Sequence, residues 1–218
     1  MIIEQHTFVF VFSMLAYATT TTQACSFPVQ MQGFEGISMG YLINGTGGAV
    51  EGGFQIAYDV KRQKTVMMGE GQNMGTRFYE HVLDDYAYGK EYVVLNGKCT
   101  ISPLKRKMLT GIPSDAKKIM SSYYGFDDKK IGIDVYSFSY EGSQITISVL
   151  KEGYVPVGEH ITGKAFLLDV GFMGMTSGVK NATVFDIPKP CQRSMPLSFL
   201  EHNSVEFLRN TRHFSSIH

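Results

Sequence analysis

Tryptophan is absent from this 218-residue chain, proline is limited to 7 positions and cysteine to 3. Charge is also sparse and balanced, with 20 Lys and Arg against 20 Asp and Glu. A net charge of zero excludes the basic field that phosphate backbones demand, so no nucleic acid is expected as a partner. It also removes any basic drive toward acidic membranes. Three cysteines are too few for a disulfide-dense miniature scaffold, and the odd count leaves one thiol without an intrachain partner. Neither C-x-x-C nor H-E-x-x-H occurs, so local spacing supports no zinc site.

Long hydrophobic runs are missing with one exception. Residues 7–18, TFVFVFSMLAYA, form a stretch of 12 without a charge, too short to span a bilayer comfortably. Small residues follow it, and cleavage after Ala18 or Ala24 is expected of an export signal covering 1–24. The preceding MIIEQH carries Glu4 and no Lys or Arg, which departs from the usual signal pattern. Export implies an oxidising space, either outside the cell or in the lysosomal lumen. Two sequons agree with that route, at Asn44-Gly45-Thr46 and Asn181-Ala182-Thr183. Residues 25–195 then form one domain, and 196–218 a tail. In the tail Leu197, Leu200, Val205 and Leu208 roughly share a helical face, and the end frays from about Asn210.

What the chain does have is 44% hydrophobic residues, 15 Phe, 12 Tyr and 23 Gly, a composition suited to pleated surfaces joined by turns. Period-two alternation dominates. Phe54, Ile56 and Tyr58 share a face, as do Tyr136, Phe138 and Tyr140, then Ile145, Ile147 and Val149, and finally Phe166, Leu168, Val170 and Phe172. Shorter strands are expected at 65–68 and 91–95. Turn signals fall at Asn44-Gly45, Gly52-Gly53, Asn96-Gly97, Glu141-Gly142 and Gly153. The pattern predicts a mainly β, antiparallel sheet system, open or partly closed. One short helix is expected over 114–124, with Ser114 as N-cap, beside the one in the tail.

Motifs that would carry chemistry mostly fail. Gly36-Ile37-Ser38-Met39-Gly40 fits G-x-S-x-G, but strand and turn residues follow where a nucleophile elbow needs a helix. The glycines near 45–48 and 69–71 match neither a dinucleotide fingerprint nor a phosphate loop. Asp84-Asp85 and Asp127-Asp128 read as solvated turn carboxylates, and a calcium loop starting at Asp127 fails at Lys129 and Ile131. Lys105-Arg106-Lys107 reads as a solvated loop. Nothing local joins Asp59 to His81. No catalytic residue is assigned, and metal ligands remain unassigned.

An ordered set of loose motifs is similar to the ependymin-related proteins. It begins with Cys25-Ser26-Phe27-Pro28 and Gln30-Met31-Gln32-Gly33, where Met31 stands in place of the family's usual Trp. It continues with Ala57-Tyr58-Asp59 before Lys61 and Arg62, Tyr92-Val93-Val94 before Lys98-Cys99, and Ile112-Pro113. It closes on Val184-Phe185, Pro188 and Cys191. The resemblance covers about 25–191. It implies two antiparallel sheets curved into a half-open barrel like bacterial lipoprotein carriers, with one or two short helices. It pairs Cys99 with Cys191. It puts the partner of Cys25 at Tyr154, so Cys25 is free or bonded to another chain.

By the same resemblance the protein is a secreted, non-catalytic glycoprotein that binds a lipid or other amphipathic ligand, without a cofactor. The apolar pocket would be lined by Phe54, Ile56, Tyr58, Val94, Ile145, Ile147, Val149, Phe166, Leu168 and Val170. Asn44 and Asn181 would carry glycans. Calcium, a homodimer and extracellular-matrix contact are further expectations from the family. They define the alternative reading, a calcium-responsive adhesion protein whose pocket has no role.

Overall fold

The computed structural model describes residues 25–192, so the expected signal and tail helix lie outside the described residues. Eleven strands fill most of that span. They are β1 (Gln30–Ile43), β2 (Thr46–Asp59), β3 (Lys64–Asn73), β4 (Thr76–Asp85), β5 (Lys90–Leu95), β6 (Lys98–Pro103), β7 (Lys117–Phe126), β8 (Lys129–Tyr140), β9 (Ser143–Leu150), β10 (Pro156–Thr162) and β11 (Phe166–Ser177). All pair antiparallel in a single sheet ordered β6-β5-β4-β3-β2-β1-β11-β10-β9-β8-β7. The two expected sheets are therefore two halves of one, joined where β1 pairs with β11. Among the described residues, helix is reduced to a 3-10 turn at Ala182–Phe185 and a single turn, α1, at Lys189–Gln192.

Turn chemistry sets the hairpins. Asn44-Gly45, Asn96-Gly97 and Glu141-Gly142 all adopt positive φ at both residues, the geometry that twists a tight hairpin correctly. Met74-Gly75 does the same without a composition signal. Gly52-Gly53, by contrast, is no turn: both residues lie inside β2, paired with Gly71 and Glu70. The expected helix over 114–124 is also overturned. From Lys117 the chain is extended and pairs with β8 along its length. Its Ser and Tyr pairs offer no apolar helical stripe, and a ladder on β8 satisfies the backbone instead.

The sheet is strongly curved. β4 and β8 stand seven strands apart, about 34 Å in a flat sheet. Yet consecutive residues 106 and 107 reach both, through Asp84 on β4 and Tyr140 on β8. Two side chains and one peptide cannot bridge a flat sheet of that width. Curling brings the apolar faces of opposite strands together. Ile145, Ile147, Val149 and Ile161 thus have no exposed surface, although no second layer covers them among the described residues. A smaller cluster on the outer face holds Ala57, Val66, Leu83, Tyr92 and Val94 against Phe185 and Cys191. There the Cys99–Cys191 disulfide clamps the 179–192 strap to the sheet.

Candidate functional site

The inner face is built by alternation. Met31 and Met39 on β1, Phe54, Ile56 and Tyr58 on β2, and Ile145, Ile147 and Val149 on β9 join Leu168, Val170 and Phe172 on β11 in one buried cluster. Of the residues expected to line a pocket, all but two belong to this cluster, and Phe166 packs against it half-buried. Val94 does not; it stands on the outer face with Leu83 and Tyr92. Alternation also turns five carboxyls inward, each at most 4% exposed: Asp84 and Glu91, in the row of Tyr58, and Glu35 on β1, Glu80 on β4 and Glu159 on β10. No hydrophobic pattern could flag them, because each interrupts the apolar face it belongs to.

A roof covers one end of the curled sheet. Residues 25–29 and 104–116 run beside each other, with Ser26 bridging Gly111 and Phe27 N–H donating to Thr110 O at 3.0 Å. Gly111 is obligatory here, since a Cβ would lie 2.4 Å from Cys25 O. Phe27, Met108, Leu109 and Ile112 point into the inner cluster, and the Tyr58 hydroxyl donates to Leu109 O at 3.2 Å. Arg106 anchors the roof with 2.5 Å to Asp84 and 3.3 Å to Glu91, all three side chains being buried. Burial alone would lower its pKa, but Asp84, Tyr86 and Glu91 together raise it. Arg106 and the pair Asp84-Asp85 are thus buried where solvated residues are expected, while Lys105 and Lys107 are exposed. Asp85 pairs with Lys64 at 3.0 Å. Asp127-Asp128 does lie exposed in the β7–β8 turn.

Cys25 carries a free thiol at the start of the roof. The hydroxyls of Tyr136 and Tyr154 approach it. Burial first, and then the thiol, push Tyr136 up to about 12. Tyr154 is raised chiefly by its contact with Cys25. Tyr154 therefore stands beside Cys25, at the position where the resemblance puts a partner cysteine.

Two cavities open on the outer face beneath the strap, of about 390 and 630 Å³. Met68 and Val184 line both. The larger also meets His81, whose Nε2 has no hydrogen-bond partner and whose pKa burial lowers from 6.5. Asp59 lies elsewhere, holding Gln30 and Arg62, so no Asp59–His81 pair exists.

Ser38 sits mid-strand on β1 with an exposed side chain, opposite Asp169, which in turn pairs with His160 at 2.8 Å. The carboxylate, rather than the imidazole, occupies the middle of this row. No strand-to-helix elbow is formed. Asn44 is exposed in the β1–β2 turn, and exposed Asn181 caps the 3-10 turn by accepting from Thr183 N–H at 3.1 Å. Among the described residues, no three His, Cys, Asp or Glu side chains lie together as a metal site. Among them, too, no helix is long and apolar enough to cross a membrane.

No protein-family model and no curated protein matches this chain. Solved structures do. An uncharacterized conserved protein from Thermus thermophilus aligns over 74% of this chain and 87% of its own at 10% identity, with a TM-score of 0.45. A LolA superfamily protein from Nitrosomonas europaea covers 74% and 92% at 8% identity, TM-score 0.35. A beta-barrel-like protein of a domain of unknown function from Brucella abortus covers 71% and 100% at 8% identity, TM-score 0.34.

Proposed function

We propose that this protein is a secreted, non-catalytic binder of a hydrophobic or amphipathic molecule, held against the inner face of the curled sheet. The observation that carries the reading is the single-layered wall. Among the described residues, its apolar inner face is covered by no helix and no second sheet, only by the irregular roof of 25–29 and 104–116. A roof held by a few hydrogen bonds and one ion-pair cluster is easier to displace than a packed layer. A ligand would enter by lifting it, exchanging side-chain contacts across the inner face for contacts with an apolar chain.

Protein expressed with its natural leader and purified from the medium tests this reading. Native mass spectrometry followed by solvent extraction should recover a bound fatty acid, phospholipid or similar amphiphile. Recovery of nothing, together with failure of the stripped protein to take up dodecanol, would remove the reading.

The outer-face cavities support a second site for such a ligand. At 390 and 630 Å³ they fall within the range of small-molecule pockets, and apolar side chains line both, Ala57, Val66 and Val184 in the smaller and Val94, Val184, Ile187 and Pro188 in the larger. Val184→Trp would fill the space between them. Loss of uptake in that variant would place the ligand under the strap rather than within the sheet.

A further inference from the structure

A carboxyl buried in an apolar face must either meet a cation or keep its proton, and the strands around Glu159 supply no cation. β1, β2, β9, β10 and β11 contain no Lys or Arg at any position. Arg106, which the roof sends inward, is engaged by Asp84 and Glu91.

Glu159 lies between Ile147 on β9 and Val170 on β11, both in the buried cluster. Neither of its carboxyl oxygens has a hydrogen-bond partner, and the residue is only 4% exposed. Glu35, wholly buried, acts on it from the other side of β11. The cross-strand row of Glu35 runs through Phe54 and Gly69 to Glu80. No side chain fits at Gly69 in that row, since a Cβ there would lie 2.1 Å from Gly53 O.

Burying a carboxyl without a partner is costly, and packing alone would favour another aliphatic residue between Ile147 and Val170. Burial first, and then Glu35, drive the Glu159 pKa well above the ordinary glutamate value. The chain thus sustains at Glu159 an acidic spot, deep in an apolar face, with no cation of its own beside it.

We propose that Glu159, with Glu35 beside it, is the headgroup site for a primary amine on an apolar chain, so that the preferred ligand is an amphipathic base. This rests on the inner-face reading above and specifies its ligand class. The Glu159 carboxyl would pass its proton to the neutral amine, the resulting ammonium would donate to the carboxylate, and the alkyl chain would lie along Ile147, Val149, Val170 and Phe172. A charge-assisted hydrogen bond in a water-poor site discriminates strongly between headgroups on identical chains.

The stripped full-length protein should be titrated calorimetrically with dodecylamine, 1-dodecanol and dodecanoate, each below its aggregation limit. Dodecylamine is expected to bind at least about ten-fold more tightly than the other two. Glu159→Gln should cut that preference to within about two-fold while dodecanol affinity stays unchanged. Glu35→Gln, which leaves Glu159 in place, should weaken the preference by a smaller factor and guards against misfolding of the first variant. Equal binding of all three probes would overturn the amine site and leave the inner-face reading standing. An amine preference that survives Glu159→Gln would overturn the site as well. No binding of any probe would overturn both.

Discussion

Glu159 and Arg106 show opposite answers to the same cost of burying charge. Arg106 is compensated within the chain by Asp84 and Glu91. Arg106→Met should therefore strand two buried carboxylates and cost about 3 to 5 kcal/mol in urea unfolding. Lys105→Ala and Lys107→Ala should each stay within about 0.5 kcal/mol. At Glu159 the folded pKa is raised above its ordinary value of 4.5. The folded state then holds a proton that the unfolded chain releases, so its contribution to stability is intact below that value and lost as pH rises through the folded pKa. Thermal melts of wild type and Glu159→Gln between pH 4.5 and 8 should show the variant gaining on wild type as pH rises. A constant difference across that range would mean that Glu159 does not titrate in the folded state. None of these roles is legible in the sequence. Arg106 sits inside a triplet that composition assigns to solvent, and Glu159 flanks a glycine in a strand with no clear alternation.

Elements are legible where alternation and turn chemistry agree. β2, β8, β9 and β11 carry regular apolar faces, and two of their hairpin turns, Asn44-Gly45 and Glu141-Gly142, place glycine after a residue with positive φ. β1 escapes sequence reading, because Gly33, Gly36, Gly40 and Glu35 break its pattern, although it is one of the longest strands and joins the halves of the sheet. β7 misleads because a serine after proline imitates a helix start, while the pairing that decides the matter lies on another strand. The strap is the element most dependent on covalent help, since its turns are short and few of its residues are buried. Replacing both Cys99 and Cys191 by alanine opens a loop with a sequence separation of 92. Loop entropy sets that loss at about 4 to 5 kcal/mol, less any order kept by the denatured chain. Limited proteolysis should then cut first within 179–192. Cleavage first in the 104–116 roof would show that the roof, not the strap, is the weaker cover.

At the scale of the molecule, one curled sheet does the work of two layers. Its inner walls bury one another, its outer face is covered locally by the strap, and its edge strands β6 and β7 are linked by the roof. Composition and alternation announce an antiparallel β domain. The continuity of the sheet depends on the β1–β11 ladder between segments well over 100 residues apart, which no local pattern encodes. The inner-face residues are recognisable as a set, and Val94 lies on the other face; strand β5 is buried on both sides and so lacks a polar side to mark its orientation.

The inner face is expected to receive an apolar ligand. Methyl-labelled protein with bound 1-dodecanol tests it most directly, through nuclear Overhauser contacts between ligand chain protons and valine or isoleucine methyls. Contacts are expected to Ile145, Ile147, Val149 and Val170. Contacts confined to Val94, Val184 and Ile187, or none at all, would contradict it.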